Sequence, residues 1–312
     1  MKVISSIKIS EDRLGKLIAA QPQAQIVQVK ELTERDEEAE ILLTYGWDIK
    51  EQTLDLYPNL KWLQSLSAGV DMLPLNKLAE RNIILTNVRG AHNIQMAEHV
   101  IWSMLMLLRQ GVVFVRQQDQ KVFSARPKVD EMYGKTVCIV GAGTIGREIA
   151  RKCSAFDMTV YGISRSGHSD SAYDRVGTVA EMSEILGLSD IVVVVLPLTA
   201  DTKNFVNAEF ISSMKQGSML INAARGPVTD EKELLQALQS GKISAAALDV
   251  FVQEPLPEDS PFWGLENVFI TPHIGGRTIK AADRMLDVFS SNLSKYPNLK
   301  GIDNIIDLSS GY

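Results

Sequence analysis

In the stretch Thr136-Val137-Cys138-Ile139-Val140-Gly141-Ala142-Gly143-Thr144-Ile145-Gly146, a β-rich run is followed at once by the pattern G-x-G-x-x-G. The run predicts a buried strand, and the glycine spacing predicts a tight turn that opens a helix. The first Gly makes the turn, the second lets a pyrophosphate approach the backbone, and the third lets helix and strand pack closely. The free N–H groups at the helix start then face the phosphates. The stretch therefore predicts a dinucleotide-binding α/β unit, the alternative being a Gly-rich turn in another kind of α/β protein.

More apolar runs follow this motif along the chain, at residues 159–163, 191–196, 218–222, 245–250 and 268–271. They are continuous rather than alternating, which is typical of parallel strands covered by helices on both faces. The second half of the chain is therefore predicted to form a doubly wound parallel sheet.

The first hundred residues alternate short strands with helices. Strands are predicted at residues 26–29, 41–44, 59–66 and 83–86. The acidic run at residues 34–40 is interpreted as a solvated helix face. Residues 96–108 form a helical pattern that is apolar nearly all round, so this helix lies in a core or in an interface between subunits. The chain becomes helical again after Lys280.

Composition excludes several classes of protein. The chain has 312 residues, of which 45% are hydrophobic and 22% charged, with a net charge of −6. This balance predicts about two globular domains and argues against nucleic-acid binding. The longest apolar stretch is too short to span a bilayer, and the start lacks the apolar block of a signal peptide. Two cysteines make neither a disulfide framework nor a metal site. We expect a cytoplasmic protein that binds no membrane and no metal.

The second strand of the predicted sheet indicates which dinucleotide binds. A carboxylate usually ends this strand in an NAD site and binds the ribose 2′-OH. Here Ser164 and Arg165 stand at that place. A hydroxyl and a guanidinium can bind a 2′-phosphate through charge-assisted hydrogen bonds. This pair favours NADP(H) over NAD(H), unless Arg165 is simply a solvated loop residue.

Three chemically competent residues follow three successive late strands: Arg225, Glu254 and His273. The carboxyl ends of parallel strands face the ligand crevice, so the three side chains can converge there. An Arg binds a carboxylate through two parallel hydrogen bonds, and a Glu beside a His stabilises the imidazolium. Each residue alone has a structural interpretation, whereas their common position behind a dinucleotide motif favours catalysis. His92, His99 and His168 have no such setting.

This combination predicts hydride reduction of a 2-keto acid. Arg225 would hold the carboxylate, and His273 would protonate the oxygen. Glu254 would fix the tautomer of His273 and raise its pKa.

Several stretches carry a resemblance to a known family, in the same order as in that family: Ser67-Ala68-Gly69-Val70-Asp71, Met96-Ala97-Glu98-His99, Gly141 to Gly146, Leu196-Pro197-Leu198-Thr199, Asn222-Ala223-Ala224-Arg225-Gly226, Ala247 to Phe251 with Glu254-Pro255, and Thr271-Pro272-His273-Ile274-Gly275-Gly276. Over almost its whole length the sequence resembles the D-isomer-specific 2-hydroxyacid dehydrogenases. It is expected to be similar to the glyoxylate/hydroxypyruvate reductases or to a short phosphoglycerate dehydrogenase.

The resemblance implies a nucleotide domain of residues 99–284 inserted into a flavodoxin-like substrate domain of residues 1–98 and 285–312. It implies the same catalytic three, a D-product, and a homodimer formed through the nucleotide domain, in which the apolar helix would take part. It places the backbone of Ser67, Ala68, Gly69 and Val70 against the substrate and Asp249 at the nicotinamide carboxamide. The remaining implied cofactor contacts are Thr144, Ile145, Leu196, Pro197, Thr202, Ala223, Ala224, Gly275 and Gly276.

Two departures from the family pattern leave alternatives open. Ser164 replaces the acid of many members, and Arg277 stands where a small residue is common. Arg277 either meets a second anionic group of the substrate or points to solvent. A phosphoglycerate dehydrogenase with an appended regulatory domain is not expected.

A dinucleotide-sensing regulatory protein, similar to the C-terminal binding protein corepressors, is the alternative from another class. Formate dehydrogenase is disfavoured because moving hydride alone needs no His–Glu pair. The identity of the 2-hydroxy acid and the physiological direction stay open.

Overall fold

The computed structural model describes residues 1–298 and 301–309 of the chain. These residues form two compact units. The first unit consists of Met1–His92 with the described residues from Thr278 onward, and the second consists of Asn93–Arg277. Residues 299–300 and 310–312 of the predicted substrate domain lie outside the described residues.

The first unit opens with β1 Lys2–Ser5, α1 Glu11–Ala20, β2 Gln25–Gln28, β3 Ala39–Thr44, α2 Glu51–Asp55, β4 Trp62–Ser65, α3 Leu75–Glu80 and β5 Ile84–Thr86. The second unit contains α4 Asn93–Leu108, α5 Gly111–Asp119, β6 Thr136–Val140, α6 Thr144–Ser154, β7 Thr159–Ile163, β8 Arg175–Gly177, α7 Met182–Leu188, β9 Ile191–Val194, α8 Ala208–Ser213, β10 Ser218–Asn222, α9 Glu231–Ser240, β11 Ile243–Leu248 and β12 Val268–Ile270. Helix α10, Ala281–Leu293, belongs to the first unit.

The sheet of the first unit has the strand order β2-β1-β3-β4-β5, and its neighbouring strands are parallel. This is the flavodoxin-like order of a doubly wound sheet. Trp62 on β4 is fully buried, and its ring lies 5.5 Å from that of Phe289 on α10. The indole N–H donates to the Thr86 hydroxyl at 2.7 Å. The start of the chain and the late helix α10 therefore share one core.

The sheet of the second unit has the order β12-β11-β10-β9-β6-β7-β8, again with parallel neighbours. The chain winds outward from β6 to β8, then crosses back to β9 and winds outward on the other side. A ligand crevice forms at such a reversal, beyond the carboxyl ends of the strands. The prediction of an α/β protein with two Rossmann-like parallel sheets is confirmed.

Helix α4 is apolar nearly all round because most of it lies in the core of the second unit. Its buried side chains include Val100, Met104 and Leu108, and they pack with residues of α6 and of the sheet. The predicted domain boundaries after residues 98 and 284 fall inside α4 and α10, whereas the two compact units divide after His92 and after Arg277. In the described part of the chain, no single helix has the length and apolar composition to cross a membrane. The pair α4 and α5 meets both criteria only when taken together, with a bend of 69°.

The acidic run at residues 34–40 is not a helix, and this prediction was wrong. Residues 34–38 are irregular and lead directly into β3. The carboxylate of Asp36 accepts the backbone N–H groups of Glu38 and Ala39 at 2.9 and 3.1 Å, and it pairs with Lys2 at 2.6 Å. An Asp that binds its own following backbone competes with helix formation. The short strands β1 and β8 were also missed.

Candidate active site

Two glycines of the predicted phosphate turn are required by close packing. Gly141 has φ +112°, and a Cβ atom on it would lie 2.8 Å from the Val195 carbonyl oxygen. A Cβ on Gly146 would overlap the Gly141 carbonyl and lie 2.9 Å from the Tyr173 hydroxyl. Side chains at these two places would force α6 away from β6 and β9, as the motif predicts.

The middle glycine of the motif, Gly143, is not closely packed. Gly143 is exposed and is the N-cap residue of α6, and nothing lies within 4 Å of the place where its Cβ would stand. The first N–H groups of α6, including those of Thr144 and Ile145, have no acceptor within the helix. Open space beside unsatisfied donors at a positive helix end is what a pyrophosphate needs. The residues present therefore fit a dinucleotide.

The loop after β7 forms a tight polar turn. Ser164 Oγ accepts the Gly167 N–H at 3.0 Å, and Gly167 has φ +61°. Arg165 and Ser166 are exposed on this turn. The nearest following acid, Asp170, pairs with Arg147 at 3.3 Å. Ser164 thus shapes the turn as well as offering a hydroxyl, which the sequence did not predict.

Three neighbouring strands bring the predicted catalytic residues to one edge of the sheet. The Asp249 N–H, just beyond β11, donates to the Asn222 carbonyl of β10 at 3.1 Å. The Thr271 N–H, just beyond β12, donates to the Leu248 carbonyl of β11 at 3.0 Å. The strand ends are therefore in register, and Arg225, Glu254 and His273 follow them within a few residues.

His273 and Glu254 form a direct pair. The imidazole Nδ1 lies 2.7 Å from Glu254 Oε2, and the side chains are 46% and 36% exposed. Glu254 Oε1 accepts the Phe251 N–H at 2.9 Å, which fixes the carboxylate. A carboxylate only accepts hydrogen bonds, so Nδ1 carries a proton. The other ring nitrogen, Nε2, is then available to exchange a proton with a ligand.

The segment of Arg225 and Gly226 lies beside the loop that carries Glu254. The Arg225 guanidinium donates to the Ala224 carbonyl at 2.9 Å, and the residue is half-buried. The next residue, Gly226, lies so close to the backbone of Phe251 that a Cβ on it would overlap the Phe251 carbonyl group. This contact couples the position of Arg225 to that of the Glu254 loop.

Asp249 organises the loop that carries His273. It is 3% exposed. Its Oδ1 accepts the Thr271 hydroxyl at 2.6 Å and the Ile274 N–H at 2.9 Å, and its Oδ2 accepts the Gly275 N–H at 2.8 Å. Because a carboxylate has about four acceptor sites, Oδ2 has capacity for a further N–H donor, such as an amide of a ligand.

The remaining predicted cofactor residues also follow strand ends. Leu196 and Pro197 follow β9, and the Thr202 hydroxyl donates to the Pro197 carbonyl at 2.6 Å. Thr202 therefore shapes this turn. Ala223 and Ala224 follow β10 and are buried, whereas Gly275 and Gly276 follow β12.

The predicted substrate loop lies in the first unit, after β4. The Ser67 hydroxyl donates to the Tyr45 carbonyl at 2.7 Å, and the Asn87 amide donates to the Ala68 carbonyl at 2.6 Å. Val70 is 4% exposed and packs in the core, so its side chain is an anchor. The Ser67 hydroxyl, the Asn87 amide and the buried Val70 side chain thus hold the loop that contains Gly69.

Sequence reasoning missed a buried histidine near the site. His99 of α4 places Nε2 at 3.3 Å from Thr271 Oγ1 and 3.6 Å from Asp249 Oδ1. Burial lowers its pKa, and the Asp249 charge opposes that shift. The signal in the sequence was a histidine inside a largely apolar helix.

Comparisons with known proteins identify the family of this chain. The family model of the NAD-binding domain of D-isomer specific 2-hydroxyacid dehydrogenases matches residues 101–275. Glyoxylate/hydroxypyruvate reductase A of Arabidopsis thaliana is 36% identical over 252 residues, covering 78% of this chain and 78% of the plant protein.

Two solved structures match nearly the full length. The NADPH-dependent glyoxylate/hydroxypyruvate reductase of Sinorhizobium meliloti, in complex with NADP and sulfate, has a TM-score of 0.85 and 27% identity, covering 100% of this chain and 99% of that one. A D-isomer specific 2-hydroxyacid dehydrogenase of Xanthobacter autotrophicus, in complex with NADPH and MES, has a TM-score of 0.83 and 30% identity with the same coverage. The glycine turn, the strand-end residues and these matches together show that the chain belongs to the D-isomer-specific 2-hydroxyacid dehydrogenases, a family of NAD(P)-dependent oxidoreductases.

Proposed function

We propose that this enzyme reduces a small 2-keto acid, such as glyoxylate, hydroxypyruvate or a pyruvate-like acid, to the D-2-hydroxy acid with NADPH, or catalyses the reverse reaction. The observation that carries the proposal is the 2.7 Å His273–Glu254 pair at the carboxyl edge of β11 and β12. A proton donor held by a carboxylate suits the oxygen of a carbonyl under reduction. Curated relatives named glyoxylate/hydroxypyruvate reductase support the substrate class.

The chain's own residues supply binding and proton transfer. Arg225 binds the substrate carboxylate with two parallel N–H donors and so orients the 2-keto group. His273 donates the Nε2 proton to the carbonyl oxygen as that oxygen gains negative charge. Glu254 keeps the proton on Nδ1 and stabilises the imidazolium before the transfer. In the reverse direction, neutral His273 accepts the hydroxyl proton through the same nitrogen.

A reduced nicotinamide supplies the hydride when it is bound. Gly141, Gly143 and Gly146 would admit the pyrophosphate, together with the first N–H groups of α6. Asp249 Oδ2 would accept an N–H of the carboxamide. We retain Ser67, Ala68, Gly69 and Val70 as substrate contacts because hydrogen bonds of the Ser67 hydroxyl and the Asn87 amide hold this backbone in place.

We propose NADP(H) as the preferred dinucleotide, selected by Ser164 and Arg165. The support is a turn that presents an exposed guanidinium and no carboxylate, and the NADPH and NADP complexes of the two structural neighbours. Arg165→Ala should raise the Kd for NADPH about tenfold or more, because a charge-assisted hydrogen bond is lost, and change that for NADH little. Arg151→Ala, on the exposed ion pair with Glu148, is the control. Equal effects of Arg165→Ala on both dinucleotides would overturn the assignment.

We also propose a homodimer formed through the second unit. Several apolar side chains in α5 and the segment after it are exposed: Phe114, Val115, Val122, Phe123 and Tyr133. Helix α4 adds Ile94 and Trp102, which are 42% and 43% exposed, to this apolar surface. Sedimentation should find a dimer for the natural chain and a monomer for Phe123→Glu. A monomeric natural chain contradicts the proposal.

The function is tested by NADPH oxidation with a panel of 2-keto acids. Turnover with at least one small 2-keto acid is expected. Tight NADPH binding without turnover on any of them would contradict a reductase and indicate the dinucleotide-sensing alternative.

A further inference from the structure

A buried polar chain connects helix α4 to the loop that carries His273. It runs from His99 to the Thr271 hydroxyl at 3.3 Å and from that hydroxyl to Asp249 at 2.6 Å. The three residues are 9%, 5% and 3% exposed. Neither His99 nor Thr271 has a part in the proposed proton transfer, so the chain needs another explanation.

The direction of each hydrogen bond follows from the groups involved. The carboxylate of Asp249 only accepts, so the single hydroxyl proton of Thr271 points to it. The Thr271 oxygen is then an acceptor, and His99 must donate to it from Nε2. Burial lowers the pKa of His99, which favours a neutral ring, and the bond to Thr271 places the ring proton on Nε2. His99 is therefore the donor at the end of this series of hydrogen bonds.

The same series of hydrogen bonds ends on the backbone of the loop that carries His273. Asp249 accepts the N–H groups of Ile274 and Gly275 at 2.9 and 2.8 Å, and its own carbonyl accepts the His273 N–H at 2.8 Å. His273 has φ +52°, an uncommon conformation for a residue other than glycine, so the loop needs support. These bonds provide it on both sides of His273.

Helix α4 also contacts this loop directly. A Cβ on Gly275 would lie 2.9 Å from Asp249 Oδ2 and 3.3 Å from Cδ2 of His99, so the loop backbone rests on both residues. The Gln95 amide donates to the Gly276 carbonyl at 3.3 Å. The His99 ring is fixed by an edge contact with Trp102, whose centroid lies 5.6 Å away. The helix is thus a rigid base for the loop.

We propose that His99 is a positioning residue of the reductase. Through Thr271 and Asp249 it holds the backbone around His273 and so keeps the imidazole aimed for proton transfer. This inference rests on the proposed function only for its kinetic consequence. The hydrogen-bonded support of the loop is independent of the reaction.

The test compares variants that keep or remove the donor. Gln places an amide N–H near the position of Nε2, whereas Leu fills the space without a donor. In His99→Leu we expect kcat for a 2-keto acid to fall about tenfold to a hundredfold with little change in KM, because small misplacement of a catalytic group slows the chemical step. His99→Gln should restore kcat to within about threefold of the natural enzyme. Met104→Leu, a buried apolar exchange on the same helix, is the packing control.

A second readout needs no turnover. Amide hydrogen exchange at Ile274 and Gly275 should be about tenfold faster in His99→Leu than in the natural chain, and unchanged in His99→Gln. Thr271→Val removes the hydroxyl that links His99 to Asp249, so it should speed amide exchange as much as His99→Leu does. Thr271→Ser keeps the hydroxyl and should leave exchange unchanged. The inference is wrong if His99→Leu and His99→Gln show the same amide exchange rates at Ile274 and Gly275. It is also wrong if His99→Leu changes neither these rates nor kcat. A natural enzyme that lacks turnover overturns the proposed function, while the exchange data still decide the role of His99.

Discussion

The two units share one architecture but differ in the loops after their strands. In the first unit, β1 is followed by Ser6-Ile7-Lys8-Ile9-Ser10, which contains no glycine. In the second unit, β6 is followed by the three-glycine turn and by α6. The same alternation of strands and helices therefore builds both units, and a few loop residues determine where a phosphate can bind.

The chemistry that supports these loops also differs. In the first unit, uncharged groups hold the loop after β4: Ser67 Oγ donates to the Tyr45 carbonyl, and the Asn87 amide donates to the Ala68 carbonyl. In the second unit, carboxylates hold the loops after β11 and β12: Asp249 binds the loop of His273, and Glu254 binds both Phe251 N–H and the imidazole. These charged supports of the second unit surround the proposed proton donor, although a carboxylate, that of Asp36, also holds a loop of the first unit.

The largest expected effect comes from the pair that His273 forms with the Glu254 carboxylate. Glu254→Gln should lower kcat about 10²-fold, because Gln cannot stabilise the imidazolium of His273. Steady-state kinetics measures this effect. Glu266→Gln is the matched control, since Glu266 is an exposed acid that precedes β12 at the amino end of the strand. Equal kcat values for the two variants would contradict the assignment of the active edge.

The next largest effect is on NADPH binding, and it distinguishes a glycine of the second unit from a glycine of the first. Gly143→Ala should raise the Kd for NADPH about tenfold or more, because its methyl group takes the space left for the pyrophosphate. Its melting temperature should change little, since no protein atom meets that Cβ within 4 Å. Gly15→Ala, in the exposed face of α1, should leave NADPH binding unchanged and stabilise the chain by about 0.5–1 kcal/mol. A Gly143→Ala protein that binds NADPH normally would remove the proposed phosphate site from this turn.

The smallest expected effect is that of mild acid on the free energy of unfolding, and it should arise mainly in the second unit. The pKa of buried His99 is below its ordinary value of 6.5, so below that pH the unfolded chain binds a proton that the folded chain does not. Stability therefore falls as the pH drops from 7.5 to 5.5, by at most about 1.4 kcal/mol per pH unit. In the first unit, Lys2 holds the pKa of Asp36 below 3.8, so the contribution of this pair persists until the pH falls below about 4.

Urea unfolding at the two pH values measures this difference. His99→Gln cannot titrate and should lose less stability than the natural chain between pH 7.5 and 5.5. An identical loss in both proteins would show that His99 does not contribute to the acid sensitivity.

Much of the second unit could be predicted because its signals are local. Gly141, Gly143 and Gly146 determine a turn within six residues, and continuous apolar runs determine the parallel strands. The family resemblance placed Asp249 near the cofactor, but the donors that surround it come from residues 22 to 26 positions later in the chain. Such contacts depend on how the loops are folded, and no periodicity shows them.

The errors have similar physical causes. The acidic run before β3 has helical composition, yet Asp36 binds the following backbone and Lys2, a partner distant in sequence, pairs with it. His99 was set aside because, unlike Arg225, Glu254 and His273, it does not follow a predicted strand. Its partners Thr271 and Asp249 are supplied by the sheet edge, and only the packed structure brings them together.

The most direct test of the central claim follows the hydride and the proton together. The enzyme is supplied with NADPH deuterated at the reactive C4 position and with hydroxypyruvate or pyruvate, and the product is analysed by chiral separation and mass spectrometry, with His273→Ala as the control. The account predicts a D-2-hydroxy acid with one deuterium at C2 from the natural enzyme, and a rate lower by about 10²–10⁴-fold from His273→Ala. An unlabelled product, an L-product, or an undiminished rate in the variant would contradict it.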